Sequence, residues 1–361
     1  MKIAILGAGN MGCAIAADLT LKGHEMILVK TSRAMHNETF DYLCAHGNQI
    51  TLSEKGESRT ACIHKITTEL SAITDAELVI ITIQTNYHEA LIQRIKPYLR
   101  DGQILMIVPG YFSTSYVLKH CSDIDLTIVE GESSPIDCRI DDCGVIKVGF
   151  RNVRNPLGVY PVSRLPMVRE KLDSLQLHYT YLSSVVEAAL HNPNMIVHTV
   201  GAVMSIPRIE KTNGDYCMYW EAFTPSVWKM LEKLDAEKMD VLEKVGYERL
   251  PYVEACKFRN SLDDSIDAKA VFFEYAAMPT RAKGPVIVDS RYISEDVPEG
   301  LVMLEALGAH LGVATPVCTA LIELATAALG RDLRELGRTP ERLGVDNLRK
   351  ILADCQHENV Y

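Results

Sequence analysis

The 361-residue chain is poor in everything that would tie it to a membrane, to nucleic acid or to an oxidising compartment. Its ten cysteines are scattered, with no Cys-x-x-Cys and one close pair, Cys138-x4-Cys143. That pattern is neither a zinc ribbon nor a small disulfide framework, so reduced thiols and no metal site are predicted. Positive charge is in deficit: 37 lysines and arginines face 47 aspartates and glutamates, a formal net charge of −10. Nucleic acid and anionic lipid both select for surplus cations, so neither nucleic acid nor a membrane is an expected partner. No apolar run approaches the ~20 residues that span a bilayer. No secretory leader is read at Met1, which runs almost directly into an apolar strand, and a cytoplasmic location is expected. What remains is a chain 47% hydrophobic and 23% charged, enough for two domains with cores of their own.

The strand Lys2–Leu6 is followed by Gly7-Ala8-Gly9-Asn10-Met11-Gly12, a helical pattern to Lys22 and a second apolar stretch over residues 25–30. In this order the glycines of G-x-G-x-x-G have mechanical roles. Gly7 permits the tight turn, Gly9 lets a pyrophosphate approach the backbone, and Gly12 lets the helix pack on the sheet. The first helical turn, with Asn10 and Met11, presents N–H groups and the positive end of the helix dipole to phosphates. The acidic residue that holds a ribose 2′-hydroxyl is missing after the second strand. Lys30-Thr31-Ser32-Arg33 stands there instead, two cations and two hydroxyls suited to a 2′-phosphate. A preference for NADP (as NADPH) over NAD is therefore expected; the alternative is that Lys30 and Arg33 are solvated surface charges. Further strands are read at residues 77–83, 103–108, 126–129 and 145–148. Gln84 and Pro109 follow the first two and are expected to border the cofactor at the carboxyl edge of a parallel sheet.

From about residue 184 helical periods replace strand-like alternation. The expected architecture is α/β plus all-α: a Rossmann dinucleotide-binding domain over residues 1–183, then a helical substrate and catalytic domain over residues 184–361. Thr224-Pro225, Thr315-Pro316 and Thr339-Pro340 read as helix starts with threonine caps, and Gly246 and Gly330 as stops. One segment stands out. His191, Asn194, His198 and Ser205 fall near one stripe of an otherwise apolar helical stretch. Burying imidazoles and an amide costs free energy unless each is partnered, so the stripe marks a site or a hydrogen-bonded core network. His198 is its first candidate for proton transfer, because the ordinary pKa of histidine lies near neutral pH.

Gly7-x-Gly9-x-x-Gly12, Asn192-x-Asn194-x-x-x-His198, Thr224-Pro225-Ser226 and Arg291-Tyr292-x-x-Glu295-Asp296-Val297 together resemble the opine dehydrogenases, the octopine/nopaline dehydrogenase family, over nearly the whole chain. The resemblance implies a Rossmann domain and a helical domain with substrate in the cleft between them. It implies reductive condensation of an amino acid with a 2-oxo acid, pyruvate by default, using a nicotinamide cofactor. It also implies that His198 is the catalytic histidine, Asp296 its partner, Arg291 a carboxylate-binding residue and Asn194 a residue near the substrate. Cys138 is placed near the substrate by the resemblance, and in a packed interior by its residue type. Besides the missing acid, the chain departs from its relatives at Pro109-Gly110-Tyr111-Phe112-Ser113, where two aromatics are expected to narrow or reshape the substrate pocket. Two rival readings remain. A ketopantoate-reductase-like enzyme shares the glycine loop and helical domain but uses a lysine where this helix has His198; a regulatory NADPH-binding protein would perform no chemistry. A homodimer is expected only because it is the commonest oligomer.

Overall fold

Apolar strands that are buried on both faces build the first half of the molecule. The computed structural model describes residues 1–278, 281 and 283–354. Its strands are β1 (Lys2–Leu6), β2 (Glu25–Val29), β3 (Gln49–Glu54), β4 (Glu57–Cys62), β5 (Lys65–Thr67), β6 (Leu78–Ile81), β7 (Ile104–Ile107), β8 (Thr127–Gly131), β9 (Ile136–Asp142), β10 (Val145–Arg151), β11 (Asn155–Tyr160) and β12 (Tyr179–Tyr181). All lie in the first of two compact units, residues 1–185 and 186–361.

The main sheet runs β12-β11-β8-β7-β6-β1-β2-β5. Every pair from β8 through β5 is parallel, and the order of construction reverses between β1 and β6. This is the dinucleotide-binding arrangement, with its ligand crevice at the reversal. β6 and β7 are buried at every position, as continuous apolar runs in a doubly covered sheet must be.

A second sheet, β4-β3-β10-β9, was not foreseen. The expected strand at residues 145–148 exists, but it belongs here rather than to the parallel sheet. Lys55 and Gly56, with φ of 51° and 84°, make the two-residue turn between β3 and β4. The helix Asn10–Leu21 lies between the sheets, touching β1 and β2 on one side and β3, β4, β9 and β10 on the other. Every residue from Gly12 to Leu19 is buried, so this helix has to be small and apolar all round. Its one buried charge, Asp18, is held by Lys22 at 2.7 Å and Arg151 at 3.0 Å.

The second unit is built from helices, and among the described residues no helix is long and apolar enough to cross a membrane. The longest, Pro225–Val245, packs against Pro193–Met204, Val302–Leu311 and Pro316–Leu329. Proline stands in the first turn after each Thr-Pro, and Gly246 and Gly330 end their helices with φ of 107° and 65°. The threonine caps are mostly absent. Only Thr339 accepts a backbone N–H, from Arg342; the start of Pro316–Leu329 is capped by Glu237, whose carboxylate accepts from the N–H groups of Val317 at 2.7 Å and Cys318 at 2.9 Å. The histidine helix begins at Pro193 with Asn192 as its cap. His191 therefore precedes it, and Asn194 and His198 remain one turn apart on one face.

Candidate active site

In the first unit the glycine turn has the shape a pyrophosphate needs. Gly7 has a φ of 127°, and a Cβ on Gly12 would stand 1.8 Å from the Gly7 carbonyl oxygen, so no side chain fits there. A Cβ on Gly9 would meet only the His36 ring, at 3.7 Å, which leaves the turn open above the backbone. Gly9 is also the N-cap, so no side chain occupies the first-turn N–H groups of the helix. These residues fit a dinucleotide. Asn10 contributes through its backbone alone, because its Oδ1 accepts the Ile140 N–H at 2.7 Å. Met11 packs half-buried against the core. Gln84 and Pro109 stand half-buried in the loops that leave β6 and β7, at the carboxyl edge.

Three expectations are corrected in this unit. Cys138 is 4% exposed, its thiol donates to the Asn10 carbonyl at 3.4 Å, and burial pushes its pKa up to about 12. It is a packing residue beneath the glycine turn rather than a substrate contact. Lys30 is neither an open phosphate ligand nor a solvated charge: it is 5% exposed and its Nζ donates to the Met35 carbonyl at 2.6 Å. It braces the turn that carries Thr31, Ser32 and Arg33. Arg33 itself is exposed and pairs with Asp41 at 2.7 Å, while Arg94, unforeseen, donates to the Thr31 carbonyl at 3.1 Å. Third, Tyr111 and Phe112 are 1% and 0% exposed and do not line a pocket. Both sit in the left-handed region, with φ of 48° and 69°, held there because Glu130 accepts the N–H groups of Phe112 at 2.8 Å and Thr114 at 2.6 Å.

In the second unit the structure joins residues 98 positions apart: His198 Nδ1 lies 2.8 Å from Asp296 Oδ2. A carboxylate only accepts, so Nδ1 carries the proton and Nε2 the lone pair. That lone pair accepts from the Tyr219 hydroxyl at 2.9 Å, and the ring of Tyr292 stacks on the imidazole at a centroid distance of 3.9 Å. Burial lowers the His198 pKa and so do the guanidinium groups of Arg291 and Arg281, against the opposing pull of Asp296. Arg291 opens the short helix Arg291–Ser294 that delivers Tyr292, with its side chain half exposed and 3.7 Å from Glu295. Asn194 lies one turn before His198, half-buried, its N–H donating to the cap Asn192. Tyr219 and Arg281 were missed by sequence reasoning. They lie outside every periodic stripe, and no local pattern connects them to His198.

Residues 181–329 match the family described as NAD/NADP octopine/nopaline dehydrogenase, alpha-helical domain. The helical half of this chain belongs to the octopine/nopaline dehydrogenase family. Residues 3–118 match the family described as ketopantoate reductase PanE/ApbA. Among octopine/nopaline relatives, the chain is 27% identical to "Opine dehydrogenase" of Arthrobacter sp. (strain 1C), covering 96% of this chain and 95% of that protein. It is 24% identical to "Vitopine synthase" of Allorhizobium ampelinum, with 94% of each covered. A solved structure of octopine dehydrogenase with NADH and L-arginine shares the fold at a TM-score of 0.75 and 19% identity, all of both chains being covered. Yersinopine dehydrogenase with NADP+ bound does so at 0.72 and 17% identity, with 99% of this chain and 98% of that one covered. The chain is thus of the opine dehydrogenase class, with a Rossmann-type unit followed by the helical domain of the octopine/nopaline family.

Proposed function

We propose that the protein condenses the amino group of an amino acid with the carbonyl of a 2-oxo acid and reduces the resulting imine with NADPH, NADH serving less well. Amine, 2-oxo acid, reduced cofactor and one proton give a secondary amine dicarboxylate, oxidised cofactor and water. Pyruvate is the favoured oxo acid. The observation that carries this reading is the buried Asp296–His198 pair, with Asp296 on Nδ1 and the lone pair of His198 on Nε2.

Each residue then has a task. Asp296 fixes the tautomer and stabilises the imidazolium once it forms. His198 supplies through Nε2 the proton that the carbinolamine oxygen needs as water leaves. Arg291 offers a planar fork to a carboxylate. A carboxylate on Arg291 also cancels part of the positive field that holds the His198 pKa down, so the acid is charged when substrate is present. Asn194, on the same helix face, orients the substrate beside the imidazole. In the other unit Gly7, Gly9 and Gly12 with the N–H groups of Asn10 and Met11 hold the pyrophosphate, Gln84 and Pro109 border the nicotinamide, and Arg33, Thr31 and Ser32 take the 2′-phosphate. The nicotinamide, when bound, supplies hydride to the imine carbon.

The test follows NADPH oxidation with pyruvate or 2-oxoglutarate, with and without a pool of amino acids. Oxidation that needs both partners is the expected result, and His198→Ala is expected to lower turnover by roughly a hundredfold or more while NADPH affinity stays unchanged. Oxidation by the oxo acid alone identifies a hydroxy-acid dehydrogenase instead, and tight NADPH binding without turnover identifies a sensor.

A further inference from the structure

His198 exposes almost nothing through which it can reach a substrate. Its side chain is 6% exposed; Nδ1 is closed by Asp296, one ring face by Tyr292, and Nε2 by the Tyr219 hydroxyl. Tyr219, in contrast, is half-buried. Its ring is clamped: it meets Tyr275 edge-on at 5.9 Å, and the Arg281 guanidinium lies 4.4 Å from its centroid and 4.1 Å from that of Tyr275, to whose hydroxyl it also donates.

We propose that Tyr219 is a further catalytic residue, the outward member of an Asp296–His198–Tyr219 chain whose hydroxyl hands the proton to the departing carbinolamine oxygen and is reloaded by His198. The inference rests on the imine-reduction reading of this site. As the C–O bond of the carbinolamine breaks, its electron pair leaves with oxygen, which takes the phenolic proton. The phenolic oxygen takes the proton of the His198 imidazolium in the same step, so water departs, the imine forms and His198 returns to neutral. No phenolate accumulates, which matters because burial raises the Tyr219 pKa well above its ordinary value. The Arg281 cation over the ring steadies the partial negative charge on the oxygen while both protons are in flight.

Two readouts test this. Proton inventories of the condensation step in H2O/D2O mixtures are expected to curve for the wild-type protein, since two protons move together. Tyr219→Phe is expected to lower turnover by roughly ten- to a hundredfold and to make the inventory linear, with Michaelis constants and NADPH affinity within about twofold. A linear wild-type inventory overturns the proposal, as does a phenylalanine variant that folds normally and keeps or gains turnover. The second readout needs no turnover. The groups facing His198 are Asp296, Tyr219, Tyr292, Arg291 and Arg281, with Tyr275 and Tyr252 behind Tyr219. Among these Tyr219 alone donates to the Nε2 lone pair, so its removal is expected to raise the His198 pKa by about half to one pH unit, read by NMR of 15N-histidine-labelled protein. An unmoved His198 titration overturns the hydrogen bond itself. Failure of the imine-reduction reading looks different: no amino acid and oxo acid pair is turned over, while the His198 titration still responds to Tyr219→Phe.

Discussion

Arg33 carries most of the 2′-phosphate reading now that Lys30 is known to brace the turn from within. Its exposed pairing with Asp41 contributes little in water and is readily exchanged for a phosphate dianion. Hydrogen bonds to a charged partner contribute about 1.5–3 kcal/mol, so Arg33→Ala is expected to weaken NADPH binding about tenfold or more and to leave NADH within about twofold. Titration of cofactor fluorescence measures both. Equal loss for the two cofactors would remove Arg33 from the phosphate site and return it to the surface. His36 stands differently: its ring covers Gly9, and burial together with Lys30 lowers its pKa, so near neutral pH it meets the glycine turn as an uncharged ring.

At the scale of elements, the position of Asp296 depends on the turn immediately after it. Val297–Leu301 is π-helical, a distortion that often accompanies functional sites. The turn is pinned from a distance: Arg338, 0% exposed, bonds through Nε to the Glu299 carboxylate, 1% exposed, and its N–H donates to the Pro298 carbonyl at 3.0 Å. Removing one partner of such a buried pair leaves an uncompensated charge, so Arg338→Met is expected to cost about 3–5 kcal/mol in urea denaturation, and the double variant with Glu299→Leu to regain much of it. A single variant within about 1 kcal/mol of wild type would show that the pair does not hold the turn. This pin was invisible in the sequence for the same reason as the second sheet and Tyr219. The glycine turn, the parallel strands and the Asn194–His198 face are local patterns of period 2 or 3.6, and they were legible. The pairing of residues 49–62 with residues 136–151 joins short, polar strands through contacts far apart in the chain, and Tyr219 reaches His198 only after several helices have packed. His198 and Asp296 were paired before the structure by resemblance, not by any spacing.

For the whole molecule, two buried histidines make stability depend on pH. Burial lowers the His191 pKa well below its ordinary value, reinforced by Lys238 and Arg259, and neither ring nitrogen has a partner among the described residues. The His198 pKa is lowered as well. Below the unfolded value of about 6.5 the unfolded chain binds protons that the folded one refuses, so stability falls as pH falls, by up to about 1.4 kcal/mol per pH unit for each such group. Denaturation midpoints at pH 7.5 and 5.0 are expected to differ in that direction, and His191→Gln to reduce the difference; an unchanged slope in the variant would remove His191 from the account. The cap on Pro316–Leu329 has a consequence for the order of assembly. Its acceptor, Glu237, is 80 residues upstream on another helix, so the first turn of Pro316–Leu329 is complete only after Pro225–Val245 has docked against it. Cut from the rest of the chain, Pro316–Leu329 would fray from that end. The scaffold behind the histidine helix is therefore a late product of folding, written in two places and assembled as one.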